Sequence, residues 1–173
     1  GMDPVARREA TKLSRKMRLH PEDVTPAERE TLERLYDACV LSWDREIAET
    51  YRALDAAGEL DETLVVVSAD HGELLGEDSY YGHPPVLNQE LLRVPLVFSG
   101  PVAAGESHQQ VSLLDLAPTI LSLAGCEVPE TYQGRPLFDT DGEPVGGGSA
   151  PVIAETGEEG DGDLVSAVDE NRK

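Results

Sequence analysis

The stretch TLVVVSAD, residues 63–70, limits the fold more than any other part of the chain. It is too short and too β-branched for a helix, and it is apolar throughout rather than alternating. Such a run suits a strand buried on both faces of a parallel sheet. VPLVFSG (94–100) reads the same way, PVIAET (151–156) supplies a third strand and LVSAV (164–168) starts a last one. Helical patterns lie between them. From Thr25 to Gly58, Leu32, Leu35, Cys39, Val40, Trp43, Ile47 and Leu54 recur at helical spacing. Thr25 and Glu28 form a capping box with Pro26 in the first turn, and Gly58 closes the helix. LLDLAPTILSLAG (113–125) is a second helix, with Pro118 near its start and Gly125 at its end. Strands alternating with helices predict an α/β layered fold, whose ligands sit beyond the carboxyl ends of the strands.

Asp70 and His71 stand at such an end, before a glycine that allows a sharp turn. A carboxylate oxygen and an imidazole nitrogen make half of a metal site. A capped turn with a packed histidine explains the same two residues. Glu73 reads as a partner holding His71, or as a solvated charge. His83 lies between Gly82 and two prolines in a stiff loop. It suits anion binding when protonated, or proton donation to a leaving group, as well as a plain exposed histidine. His20 and His108 receive no role.

The formal charge is −20, and Lys12, Lys16 and Lys173 are the only lysines. That field repels nucleic acid and anionic membranes, and it fits the solvated surface of a salt-adapted protein. No apolar segment is long enough for a membrane helix. Cys39 and Cys126 form no motif and are expected as buried free thiols, which leans toward a reducing, cytoplasmic setting. Gly1-Met2 reads as a tag remnant. Residues 1–24, basic against the trend, are expected as a partly ordered extension, and residues 25–173 as the domain proper.

Taken in order, DETLVVVSADHGELLGE, GH, NQELLRVPLVFSGP, VSLLDLAPTILSLAG and YQGRPLF resemble the sulfatase family of the alkaline phosphatase superfamily. The resemblance runs from about residue 30 to 156. It implies an alkaline-phosphatase-like layered sheet with flanking helices, and hydrolysis of sulfate esters with one divalent metal, calcium first, magnesium or manganese otherwise. By resemblance, Asp70 and His71 are metal ligands from the C-terminal half of the catalytic domain, and His83 contacts the sulfate or its bridging oxygen. Arg93 is structural, Asp115 caps the helix of the DLAPT block, and Gly134 and Leu137 belong to the turn that follows.

The family's nucleophile lies in Cys/Ser-x-Pro-x-Arg. No such motif occurs in this sequence, and neither does the family's N-terminal Asp-Asp pair. The chain is therefore expected to be a partial catalytic domain lacking both flanks, inactive alone and a weak metal binder, with an exposed sheet face that permits self-association. Phosphodiesterases, phosphonate hydrolases and phosphoglycerol transferases of the same superfamily are the alternative enzymes. A non-catalytic acidic binding domain is the alternative class.

Overall fold

A computed structural model describes residues 4–146, 152–156 and 164–168. Residues 147–150 of the glycine-rich loop and the acidic stretch 157–163 lie outside them. The chain divides into two compact units: Gly1–Ala57 with His71–Arg93, and Gly58–Asp70 with Val94–Lys173.

The first unit contains two long helices, α1 (Pro4–Leu19) and α2 (Pro26–Ala57). The capping box read from sequence is present. The Thr25 amide donates to Glu28 Oε2 at 2.8 Å, and the Glu28 amide donates to Thr25 Oγ1 at 3.3 Å. Glu28 also accepts Lys16 Nζ from α1 at 2.7 Å, so the cap of one helix is the tie to the other. The Lys16 hydrogen bond, followed by the Thr25 amide and hydroxyl, holds the Glu28 carboxyl down at about 2. A carboxylate depressed below its unfolded value favours the folded form above that unfolded value, near 4.3, and loses the contribution as pH falls through the folded one. The α1–α2 junction is therefore expected to loosen between about pH 4 and pH 2. Carboxyl NMR titration of Glu28 checks this; a midpoint at the ordinary glutamate value refutes it.

Nothing described on α2 is buried. Leu35, Tyr36, Val40 and Trp43 share the apolar stripe that should be its inner face, yet Trp43 is 70% exposed. Cys39, on the same stripe, is a free and exposed thiol, as is Cys126 beyond the end of the second predicted helix. The expected burial of both cysteines is thus corrected, for Cys39 because no described residue covers the helix face that carries it.

Two short strands, β2 (Leu74–Leu75) and β3 (Tyr81–Gly82), form an antiparallel hairpin with Leu74 opposite Gly82 and Leu75 opposite Tyr81. Leu74 is fully buried. With Met17 of α1 and Leu91 of the short helix α3 (Gln89–Leu92), it makes the apolar centre of this unit. Arg29 of α2 clamps the hairpin's turn. Its guanidinium donates to Glu77 Oε1 at 3.3 Å and the Gly76 carbonyl at 3.4 Å, while Nε holds Glu33 at 2.9 Å. Asp78 and Ser79 in this turn both adopt positive φ, and Asn88 Nδ2 donates to Asp78 at 3.0 Å.

In the second unit, β1 (Val65–Ser68) pairs with β4 (Leu96–Ser99). The pairing is antiparallel, which overturns the parallel arrangement expected from their composition. The register places Ser68, at the end of β1, opposite Leu96, at the start of β4. The intervening chain therefore returns to the sheet end it left, as in a long hairpin, and makes no crossover. The strands are only half-buried, and Val97 is 53% exposed. β5 (Val152–Thr156) and β6 (Leu164–Val168) form another antiparallel pair.

The second predicted helix begins as a 3-10 turn, Leu113–Asp115, and continues as α4 (Leu116–Leu123) until Gly125 at φ +67°. Asp115, 7% exposed, closes a capping box with Ser112 and also accepts the Arg135 amide at 2.9 Å. Buried Thr119 accepts the Leu137 amide at 2.9 Å. The 134–137 segment is thus fastened at two points, to the turn before α4 and to α4 itself. Gly134 lies so close that a Cβ there would fall 2.0 Å from the Leu114 carbonyl oxygen. Among the described residues, no helix is long and apolar enough to cross a membrane.

Candidate metal centre

The β2–β3 hairpin explains the site's geometry. One register step beyond Leu74–Gly82, Glu73 stands opposite His83. Side chains alternate along an extended chain, so Leu74 enters the core while Glu73 emerges on the other side. His71, two residues earlier, falls on the same side as Glu73. The side chains follow this geometry. His83 Nδ1 lies 3.3 Å from Glu73 Oε2, and the rings of His71 and His83 are 4.5 Å apart between centroids, tilted by 36°. His71, Glu73 and His83 each present a ligand atom within 4.8 Å of the other two.

His71 Nδ1 is 2.7 Å from the Gly72 carbonyl oxygen. A carbonyl can only accept, so Nδ1 donates in this contact. Metal-binding histidines are commonly oriented by a backbone carbonyl in this way.

Gly72 departs from its sequence reading. Its φ is not among the positive values, so turning is not its purpose. Its amide donates to the Leu91 carbonyl at 2.9 Å, and a Cβ would sit 1.8 Å from the Glu90 carbonyl oxygen. The glycine is there because α3 lies against it.

Of the residues singled out by sequence, His71 and His83 come together in the first unit. Asp70 is exposed and belongs to the second unit. Glu73 also pairs with His83, which sequence reasoning missed; the signal was its place opposite His83 in a hairpin too short to read from pattern. Oxygen and imidazole donors of this kind suit a divalent cation. A second group, His20, Glu22 and Asp23, is fully exposed.

An α/β chain with a histidine-carboxylate cluster after its first sheet strand offers donors for a divalent cation, and comparison with known proteins gives its family. The sulfatase family model matches residues 10–126, and the chain belongs to that family. It is 36% identical over 114 residues to an N-acetylglucosamine-6-O-sulfatase of Bacteroides thetaiotaomicron, covering 62% of this chain and 20% of the relative. Human arylsulfatase K is 31% identical over 121 residues, 69% of this chain and 22% of that protein. The low-salt glycan biosynthesis sulfotransferase Agl7 of Haloferax volcanii is 44% identical over 81 residues, 43% of this chain and 20% of its own. The chain thus spans about a fifth of the length of these relatives. The solved structure of BT4656 in complex with its substrate D-glucosamine-2-N,6-O-disulfate superposes with a TM-score of 0.67 at 24% identity, covering 96% of this chain and 37% of that one. The fold is therefore a partial alkaline-phosphatase-like α/β domain.

Proposed function

We propose that this chain is part of a hydrolase of sulfate esters, with Asp70 and His71 as ligands of one divalent cation and His83 facing the sulfate or its leaving oxygen. The observation that carries the reading is the hairpin register, which sets His83 beside His71 in a member of the sulfatase family. When bound, the cation supplies Lewis-acid charge neutralisation at the sulfuryl oxygens. The Nδ1 contact with the Gly72 carbonyl orients the His71 ring. His83, beside the Glu73 carboxylate, is placed to neutralise charge or to give a proton to the departing alcohol. Calcium is our first assignment by family, with magnesium or manganese next. The nucleophile belongs to the Cys/Ser-x-Pro-x-Arg motif that this sequence does not contain, so we assign the 173 residues no turnover of their own.

The test is aryl sulfate against aryl phosphate hydrolysis by the protein read from the whole native gene. Sulfate preference, with His83→Ala lowering kcat by about a hundredfold, supports the reading. Phosphate preference moves it to the phosphoryl enzymes of the superfamily, and turnover by the 173 residues alone refutes the placement of the nucleophile. The Haloferax relative favours a second reading, sulfuryl transfer to an acceptor other than water. Acceptor-dependent release of the aryl alcohol separates the two.

The −20 charge and the scarcity of lysine support a salt-adapted protein. We also assign self-association to this chain, and place it on the apolar stripe of α2 rather than on a sheet face. Mutual repulsion keeps copies apart in dilute buffer, while molar KCl shrinks the screening length to about 3 Å. Sedimentation velocity should show monomers at low salt and dimers in molar KCl; monomers throughout would reject the pairing.

A further inference from the structure

We infer that His71, Glu73 and His83 form a site for a borderline transition cation of the zinc type, distinct in donor set from the Asp70–His71 pair. Two nitrogens and one carboxylate suit zinc, cobalt or nickel, whereas calcium wants six to eight oxygens. The spacing agrees. Ligands about 2.1 Å from a tetrahedral zinc lie roughly 3.4 Å from each other. His83 Nδ1 and Glu73 Oε2 are 3.3 Å apart. The third ligand atom lies within 4.8 Å of both, so His71 closes by on the order of 1 Å to complete the set, and its ring is exposed enough to swing. Its Nδ1 contact with the Gly72 carbonyl orients the ring as backbone carbonyls orient metal-binding histidines. As an ion pair alone, Glu73–His83 is a partly exposed surface contact worth little, and stability does not account for the convergence of three potential ligands.

One consequence rests on the hydrolase reading, although the site itself does not. A cation held here occupies His83 and His71 together, so zinc binding and the use of His83 on substrate exclude one another. Zinc is then an inhibitor of the whole enzyme, and because His71 serves both donor sets, added calcium competes with it.

The experiment is calorimetric titration of the 173-residue chain with zinc chloride, with cobalt absorption as a second readout. One zinc per chain is expected. His83→Ala and Glu73→Gln should each weaken binding at least tenfold, with circular dichroism unchanged. Asp70→Asn and His20→Ala should leave the affinity as it was. Absence of zinc binding overturns the proposal, as does full affinity in His83→Ala. Loss of binding in Asp70→Asn overturns it by placing zinc on the Asp70–His71 pair, and loss in His20→Ala by placing it on the His20 cluster. None of these results depends on ester hydrolysis, so the aryl sulfate assay stands or falls separately.

Discussion

Replacing Asp115 with alanine should cost roughly 3–4 kcal/mol of the second unit's stability, among the largest effects of any single side chain. The carboxylate is 7% exposed and accepts two backbone amides, Ser112 at 3.0 Å and Arg135 at 2.9 Å. Truncation leaves both donors half-buried without their acceptor. Each charge-assisted bond to backbone contributes about 1.5–3 kcal/mol, and the part exposure of the donors brings the sum below the full figure. Asp115→Asn keeps one carbonyl acceptor and should lose about half as much. Thr119→Val should add to the damage less than additively, because Thr119 and Asp115 fasten the same 134–137 segment. Urea unfolding with linear extrapolation reads these differences. An alanine variant within 1 kcal/mol of the parent would mean that water replaces the carboxylate at no cost, and the segment would not be held as described.

Local chemistry was legible in the sequence, and pairing was not. The Thr25–Glu28 box, the Gly58 and Gly125 stops and the helix of the DLAPT block depend on neighbours three or four residues away, and all are present. The run at 63–70 announced a strand but not its direction. β-branched composition reports burial, whereas direction is set by where the connection returns, and Leu96 returns opposite Ser68. The α2 stripe showed its apolar face correctly, although no described residue buries it.

The site divides along the same line. His71 and His83 were visible as residue types in suggestive surroundings. Their meeting is a matter of register. Strands of two residues show no alternation to read, and the turn between them runs through left-handed Asp78 and Ser79 rather than a recognisable Asn-Gly or Asp-Gly pair. What fixes this hairpin lies outside it: Arg29 from α2 on Gly76 and Glu77, and Leu74 in the core beneath. A sequence window around the histidines contains none of that.

Gly72 is where fold and site are tied most tightly, and Gly72→Ala is the substitution expected to damage both. The added methyl would meet the Glu90 carbonyl oxygen at 1.8 Å, the carbonyl carbon at 2.9 Å and Leu91 Cα at 3.2 Å. These are backbone atoms of α3, which no rotamer change can move aside. Relief requires α3 to withdraw, breaking the 2.9 Å bond from the Gly72 amide to the Leu91 carbonyl and uncovering Leu91, which is 7% exposed. Overpacking of this kind costs about 3 kcal/mol or more when backbone must shift. The displaced residue sits between His71 and Glu73, so the ligand atoms should separate and zinc affinity fall with stability. Gly105→Ala is the matched control: a Cβ there meets nothing within 4 Å, and the change should stay within about 0.5 kcal/mol. If Gly72→Ala unfolds like the parent, α3 does not press on this glycine, and the packing that holds His71 beside His83 must be sought elsewhere. If it loses stability but keeps zinc, the hairpin holds its ligands without support from α3, and Arg29 with Leu74 is enough to set the register.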